Sequence, residues 1–105
     1  MNDEMLMKIM EMISCGGMAR SMYIQAIEKA KEGNFEEAAK LIEQGGEAFE
    51  GAHKAHAGML AESASDVDNT TVSLFLVHAE DQMMCAETFR VVAEQFIDVY
   101  KELKK

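Results

Sequence analysis

The sequence predicts an all-α fold, an antiparallel three-helix bundle subunit that associates with others, and three observations lead there. The 105 residues contain no proline, and the strong helix formers Ala, Met, Glu, Lys and Leu carry much of the chain. Apolar residues recur with a helical period over three long stretches. Only two polar turns separate those stretches, one at Gly33-Asn34 and one from Ser63 to Thr71. A chain this short makes one domain, residues 1–105, with a core that is marginal unless subunits associate.

The first helix is expected from Asp3 to Lys31, with Leu6, Ile9, Ile13, Tyr23, Ile24, Ile27 and Ala30 keeping the period. Gly16 and Gly17 lower propensity without breaking phase, which suits a bend or a close approach by another backbone. Arg20 follows, available to a buried carboxylate, to an anionic ligand or to an ordinary surface ion pair. Gly33 suits a helix stop. Asn34-Phe35-Glu36-Glu37 then reads as an Asn N-cap with a glutamate three residues on. In the second helix Ala38, Leu41, Ile42, Ala48, Phe49, Ala52, Ala55, Met59 and Leu60 keep phase across Gly45, Gly46, Gly51 and Gly58. Each glycine costs an isolated helix about 1 kcal/mol relative to alanine, so all four read as places of close helix packing. Ser63 to Thr71 is a connector in which Asp66, Asp68, Asn69 or Thr70 is able to cap the third helix. That helix is expected from about Thr71 to Glu102.

Charge and composition exclude several functions. A net charge of -9, with the ten basic residues scattered or end-loaded, repels nucleic acid and anionic lipid. Cys15 and Cys85 form neither a CxxC motif nor a disulfide framework, which fits a reduced, cytoplasmic setting. Met1 to Met12 carries charges that break up the apolar run of a signal peptide, and no stretch is long and apolar enough to span a bilayer. No glycine-rich phosphate loop is present, and Cys85 lies two turns from His78, too far to be its nucleophilic partner.

The residues that pose a chemical question are Val77-His78-Ala79-Glu80-Asp81-Gln82-Met83-Met84. On a helical wheel Leu74, Cys85, Phe89, Val92, Phe96, Val99 and Leu103 form one apolar packing arc, and His78 and Asp81 fall inside it, while Glu80, Glu87, Glu94 and Asp98 lie opposite. A carboxylate on a packing face is costly unless it meets a cation, a donor or another chain. A neutral imidazole there is a competent phosphoryl acceptor, but spacing alone weighs that reading evenly against a core histidine. Glu50, His53 and His56 have the spacing of a carboxylate-bridged metal motif. A di-iron bundle needs a second such motif, and none exists, so a packed or solvated histidine pair is the preferred reading.

At these residues the chain resembles the enzyme IIA component of the lactose/cellobiose (N,N'-diacetylchitobiose) class of the bacterial sugar phosphotransferase system. The family signature resembles VHAQDHLM where this chain has VHAEDQMM. Gly17-Met18-Ala19-Arg20-Ser21, Glu32-Gly33-Asn34-Phe35 and Ala52-His53 match further family motifs in order, and the resemblance covers nearly the full length. It implies a homotrimer, a nine-helix bundle, whose subunits accept phosphate from phospho-HPr on His78 and pass it to the cysteine of a IIB protein. Asp81 corresponds to the family aspartate whose three copies bind a structural divalent cation, Mg by expectation. Three carboxylates at one axis repel unless a cation or protons neutralise them. Leu76, Met83 and Met84 are expected to form a docking rim for the two partners.

Four departures qualify the match. Glu80 stands for the family Gln, Gln82 for His, His56-Ala57 for a frequent Gln-Thr and Ser63 for a common Glu. Glu80 places negative charge beside an acceptor of an anionic group, and Gln82 gives up the ability to become cationic. The competing reading is a non-catalytic helical oligomer whose His and Asp residues bind metal or a protein partner. The sugar is not legible, because a IIA component does not hold it.

Overall fold

A computed structural model describes residues 3–69 and 71–105 as three helices, α1 (Asp3–Lys31), α2 (Phe35–Ser65) and α3 (Leu74–Leu103), with one 3₁₀ turn at Val67–Asn69. They form an elongated bundle of 56 × 21 × 19 Å, long because α1 lies along both other helices. The expected all-α bundle is the fold observed.

The α1–α2 turn shows why two residues suffice to reverse the chain. Gly33 adopts φ +84°, a left-handed conformation that costs other residues a Cβ clash. Its N–H donates to Ala30 O at 3.0 Å, and Asn34 N–H donates to Lys29 O at 2.9 Å, the pair of bonds of a Schellman stop. Asn34 also starts α2, its Oδ1 accepting from Glu37 N at 3.2 Å. The expected capping box is thus half formed, because the Asn34 N–H is already taken by α1.

The second connector differs from expectation in length and cap. α2 continues to Ser65, and α3 begins at Leu74, not at Thr71. The cap is Ser73, whose Oγ accepts from Leu76 N at 3.1 Å. Asp66 and Asp68 precede the helix by too many residues to cap it; Thr70 and the Asn69 side chain lie outside the described residues.

α1 is the centre of the bundle. It packs along both other helices, whereas α2 and α3 meet only thinly. Its buried positions are Ile9, Met12, Gly16, Ala19, Tyr23, Ala26 and Ala30, and α3 answers with Ala79, Met83, Ala86, Ala93 and Ile97. Among the described residues no polar or charged side chain is buried except the tyrosine hydroxyl, so the core rests on apolar burial. Burial pushes the Tyr23 hydroxyl pKa up, and the Arg90 charge beside it pulls the other way.

The glycines do not share one role. Gly16 is buried, and a Cβ there would stand 3.5 Å from Met83 Cα, ordinary contact at a close helix crossing. A Cβ on Gly45 would stand 2.5 Å from Tyr23 Cε1, and one on Gly46 2.7 Å from Arg90 Nη1. Gly51 is tight against Glu11 and Cys15. Gly17 and Gly58, by contrast, face open space, so the close packing expected at all four α2 glycines holds for three.

This contrast sets opposite signs for one substitution. Gly58→Ala gains up to about 1 kcal/mol of helix propensity at no steric cost and should raise the thermal midpoint by roughly 4 °C. Gly45→Ala gains the same propensity, but forces apart the Tyr23 ring at an overpacking cost of about 1–3 kcal/mol, so it should lower the midpoint. Thermal unfolding followed by circular dichroism checks both; a stabilising Gly45→Ala would contradict the α1–α2 contact.

Candidate functional site

His78 and Asp81 stand one turn apart near the start of α3, both exposed. Their placement follows from Ala79 and Met83, which are buried against Ile9, Met12, Ala52 and Met59 and turn that face of α3 inward. With about 3.6 residues per turn, His78 is then carried to one flank and Asp81 to the outside. The apolar arc around them is not the face α3 buries in its own bundle. Leu74, Val92, Phe96, Val99 and Leu103 are exposed, and of the arc only Phe89 packs against the core. α3's inward face is mostly alanine, so the large apolar residues that dominate the periodicity point away.

The docking rim is corrected in the same way. Met83 is 1% exposed and belongs to the core, and Leu76 packs against it, whereas Met84 is 49% exposed. The exposed apolar residues bracketing His78 on α3 are Leu74, Phe75, Val77 and Met84.

Glu80 does not face His78. Residues two apart on a helix lie on nearly opposite sides, and Glu80 turns towards α2, where its Oε1 lies 2.8 Å from His56 Nε2. The repulsion expected from Glu80 is therefore directed away from the histidine's flank. Gln82 is half-buried, its backbone close to Gly16.

His53 and His56 part company although only three residues separate them. His53 is exposed, its ring 6.2 Å from that of Phe49, while His56 is largely covered and engaged with Glu80. Glu50 pairs with Lys54 at 3.6 Å, so the Glu50–His53 metal spacing is not used as a pair. Sequence reasoning missed the His56–Glu80 bond because its partners are 24 residues apart and on different helices.

Arg20 makes none of the ion pairs found among the described residues. α1 and α3 run parallel, with Gly16 opposite Met83. That register puts Arg20 level with Glu87, about two and a half turns beyond His78. Among the described residues no three His, Cys, Asp or Glu side chains of one chain converge as a metal site. No described helix is long and apolar enough to cross a membrane.

A family model described as the PTS system, lactose/cellobiose-specific IIA subunit, matches residues 7–101. The lichenan-specific phosphotransferase enzyme IIA component of Bacillus subtilis is 34% identical over 98% of this chain and 93% of its own. The PTS cellobiose-specific enzyme IIA from Bacillus anthracis superimposes with a TM-score of 0.88 at 33% identity, covering 99% of this chain and 94% of that one. IIA(Chitobiose) of Escherichia coli, solved as a complex with HPr, gives a TM-score of 0.78 at 28% identity, covering 99% and 100%.

The three histidines should separate by reactivity. Brief diethyl pyrocarbonate treatment, read by peptide mass, should modify His53 and His78 well before His56; equal rates at all three would contradict the covered position of His56.

Proposed function

Because the chain belongs to the lactose/cellobiose-specific IIA family of the phosphotransferase system, we propose that it takes a phosphoryl group from phospho-HPr on His78 and passes it to the cysteine of a IIB component. The 105 residues act as one domain in the cytoplasm, serving uptake of a disaccharide of the lactose, cellobiose or chitobiose type. The observation that carries this reading is an exposed imidazole held by a buried neighbour: His78 is open to an incoming protein, while Ala79 beside it has no exposure at all. The E. coli relative's complex with HPr supports the choice of donor.

A carrier must present one atom to two partners in turn. The neutral His78 ring supplies a nitrogen lone pair to phosphorus; the new N–P bond forms as the bond to the donor breaks, and the reverse exchange loads the IIB thiolate. Such transfer depends on orientation more than on covalent assistance from neighbours. Exposed Leu74 and Phe75, one turn before His78 on α3, supply an apolar rim beside the nitrogen.

The outer face of α3 supports a homotrimer built on that helix. Val77, Met84, Val92, Phe96, Val99 and Leu103 form an uncovered apolar strip too long to leave in water without cost. Asp81 lies within it, exposed and in no ion pair among the described residues. A single hard carboxylate per chain fits a divalent cation such as Mg only when symmetry collects copies. When bound, that cation would neutralise the carboxylates and hold the subunits together; the transfer itself proceeds at His78.

Two outcomes test this reading. Incubation with phosphoenolpyruvate, enzyme I and HPr should add one acid-labile phosphate by intact mass, lost in His78→Gln and retained at an equal or higher rate in Glu80→Gln, where the amide oxygen still accepts from His56. A phosphate that persists in His78→Gln on His53 or His56 would move the carrier elsewhere. Separately, light scattering should report about three chains' mass, and Asp81→Leu should remove stoichiometric metal while the helices stay folded. A strict monomer, or unchanged metal in the variant, would sink the shared site.

A further inference from the structure

His56 has no part in the reading above, yet it makes the one ion pair among the described residues that joins two helices. Its Nε2 lies 2.8 Å from Glu80 Oε1, whereas every other pair links residues three or four apart. It is also the most sheltered: the His56 side chain is 14% exposed and that of Glu80 41%. An ionised carboxylate only accepts, so Nε2 carries the hydrogen and donates it. Such a charge-assisted bond, partly withdrawn from water, is stronger than the exposed pairs along the helix surfaces.

The bond falls where the bundle is otherwise weakly tied. α2 and α3 both pack chiefly on α1 and meet each other thinly. Ala52 and Met59 lie one turn either side of His56; Ala79 and Met83 flank Glu80, and all four are in one core cluster. The pair closes the rim of that cluster between α2 and α3. Burial of Ala79 and Met83 fixes which face of α3 is inward, but a small alanine and an adaptable methionine define the finer rotation of the helix poorly, and a directional bond defines it better. His78 is on the same turn of α3. A rotation of about 20° would swing a side chain at the helix surface by about 2 Å, and misplacement of about 1 Å is enough to cost roughly a hundredfold in rate.

We propose that His56 is a positioning residue for the phosphoryl acceptor: through its bond to Glu80 it sets the rotation of the first turns of α3 and so the direction in which His78 faces. The same bond keeps the Glu80 carboxylate on the α2 side. This rests on His78 being the carrier, and the test separates the two claims.

Phosphoryl uptake from phospho-HPr is timed by intact mass for the parent, His56→Ala, Glu80→Ala, the double variant and His56→Gln, whose side-chain amide still donates. Imidazole ¹H–¹⁵N spectra of His78 are recorded for each. Both alanine variants should slow uptake about tenfold or more, and the double variant should lose no more than the worse single one, as expected for residues acting through one bond. His56→Gln should stay within about threefold of the parent. The His78 ring resonances should shift in the alanine variants and return in His56→Gln, a recovery that mere loss of stability would not produce. Parent rates with unmoved His78 resonances in His56→Ala would overturn the proposal, as would multiplying losses in the double variant. If the parent takes up no phosphate, the carrier reading fails and the His78 resonances alone decide the positioning role. Should His56→Ala lose its helical signal, Glu80→Ala, the more exposed partner, carries the comparison.

Discussion

The structure depends on small side chains meeting along α1. Gly16, Ala19, Ala26 and Ala30 of α1 are buried, and Ala79, Ala86 and Ala93 of α3 and Ala38 and Ala52 of α2 are buried with them. Small residues on facing surfaces let helix axes approach closely, so backbone and Cβ atoms supply the dispersion contacts that larger side chains would otherwise provide. The larger buried groups, Ile9, Met12, Tyr23 and Met83, fill the gaps left between these crossings. Gly45 shows how little slack remains, since the Tyr23 ring occupies the space its Cβ would need.

That economy inside has a consequence outside. A helix whose inward face is alanine must carry its bulky apolar residues elsewhere, and α3 carries them on the face turned away from α1 and α2. Folding one chain therefore leaves a long apolar strip exposed, with Asp81 in its midst and His78 on its flank. α3 thus offers two different surfaces at once: an uncovered apolar strip, and a flank on which an imidazole stays open. Central packing of α1 also explains the thin α2–α3 contact, which leaves the His56–Glu80 bond, among the described residues, as the ion pair bridging that side.

The local features were legible because they are written within a few residues. Gly33-Asn34 specifies a helix stop and a helix start through backbone conformation and one side-chain oxygen, and α1 ends within a residue of Ala30, the last position of its apolar period. The start of α3 was less legible. Several residues in the connector have capping side chains, and the choice of Ser73 follows from where packing of Ala79 and Met83 brings the helix into register. Glycines were ambiguous for a related reason: composition reports the missing Cβ, whereas only the neighbour across the interface distinguishes Gly45 from Gly58.

By itself the sequence determined the helical class and the two turns, and it singled out His78 and Asp81 as candidates, since propensity, period and local hydrogen bonding act over a few residues. Tertiary structure decided which face of α3 is inside. A hydrophobic period gives the direction of the greatest apolar bulk, and here close alanine packing reverses the usual identification of that direction with the core. It also decided the company kept by the charged residues: Glu80, adjacent to the histidine in the motif, is turned by the helix to His56 on α2. That relation exists only once the two helices are brought side by side by α1.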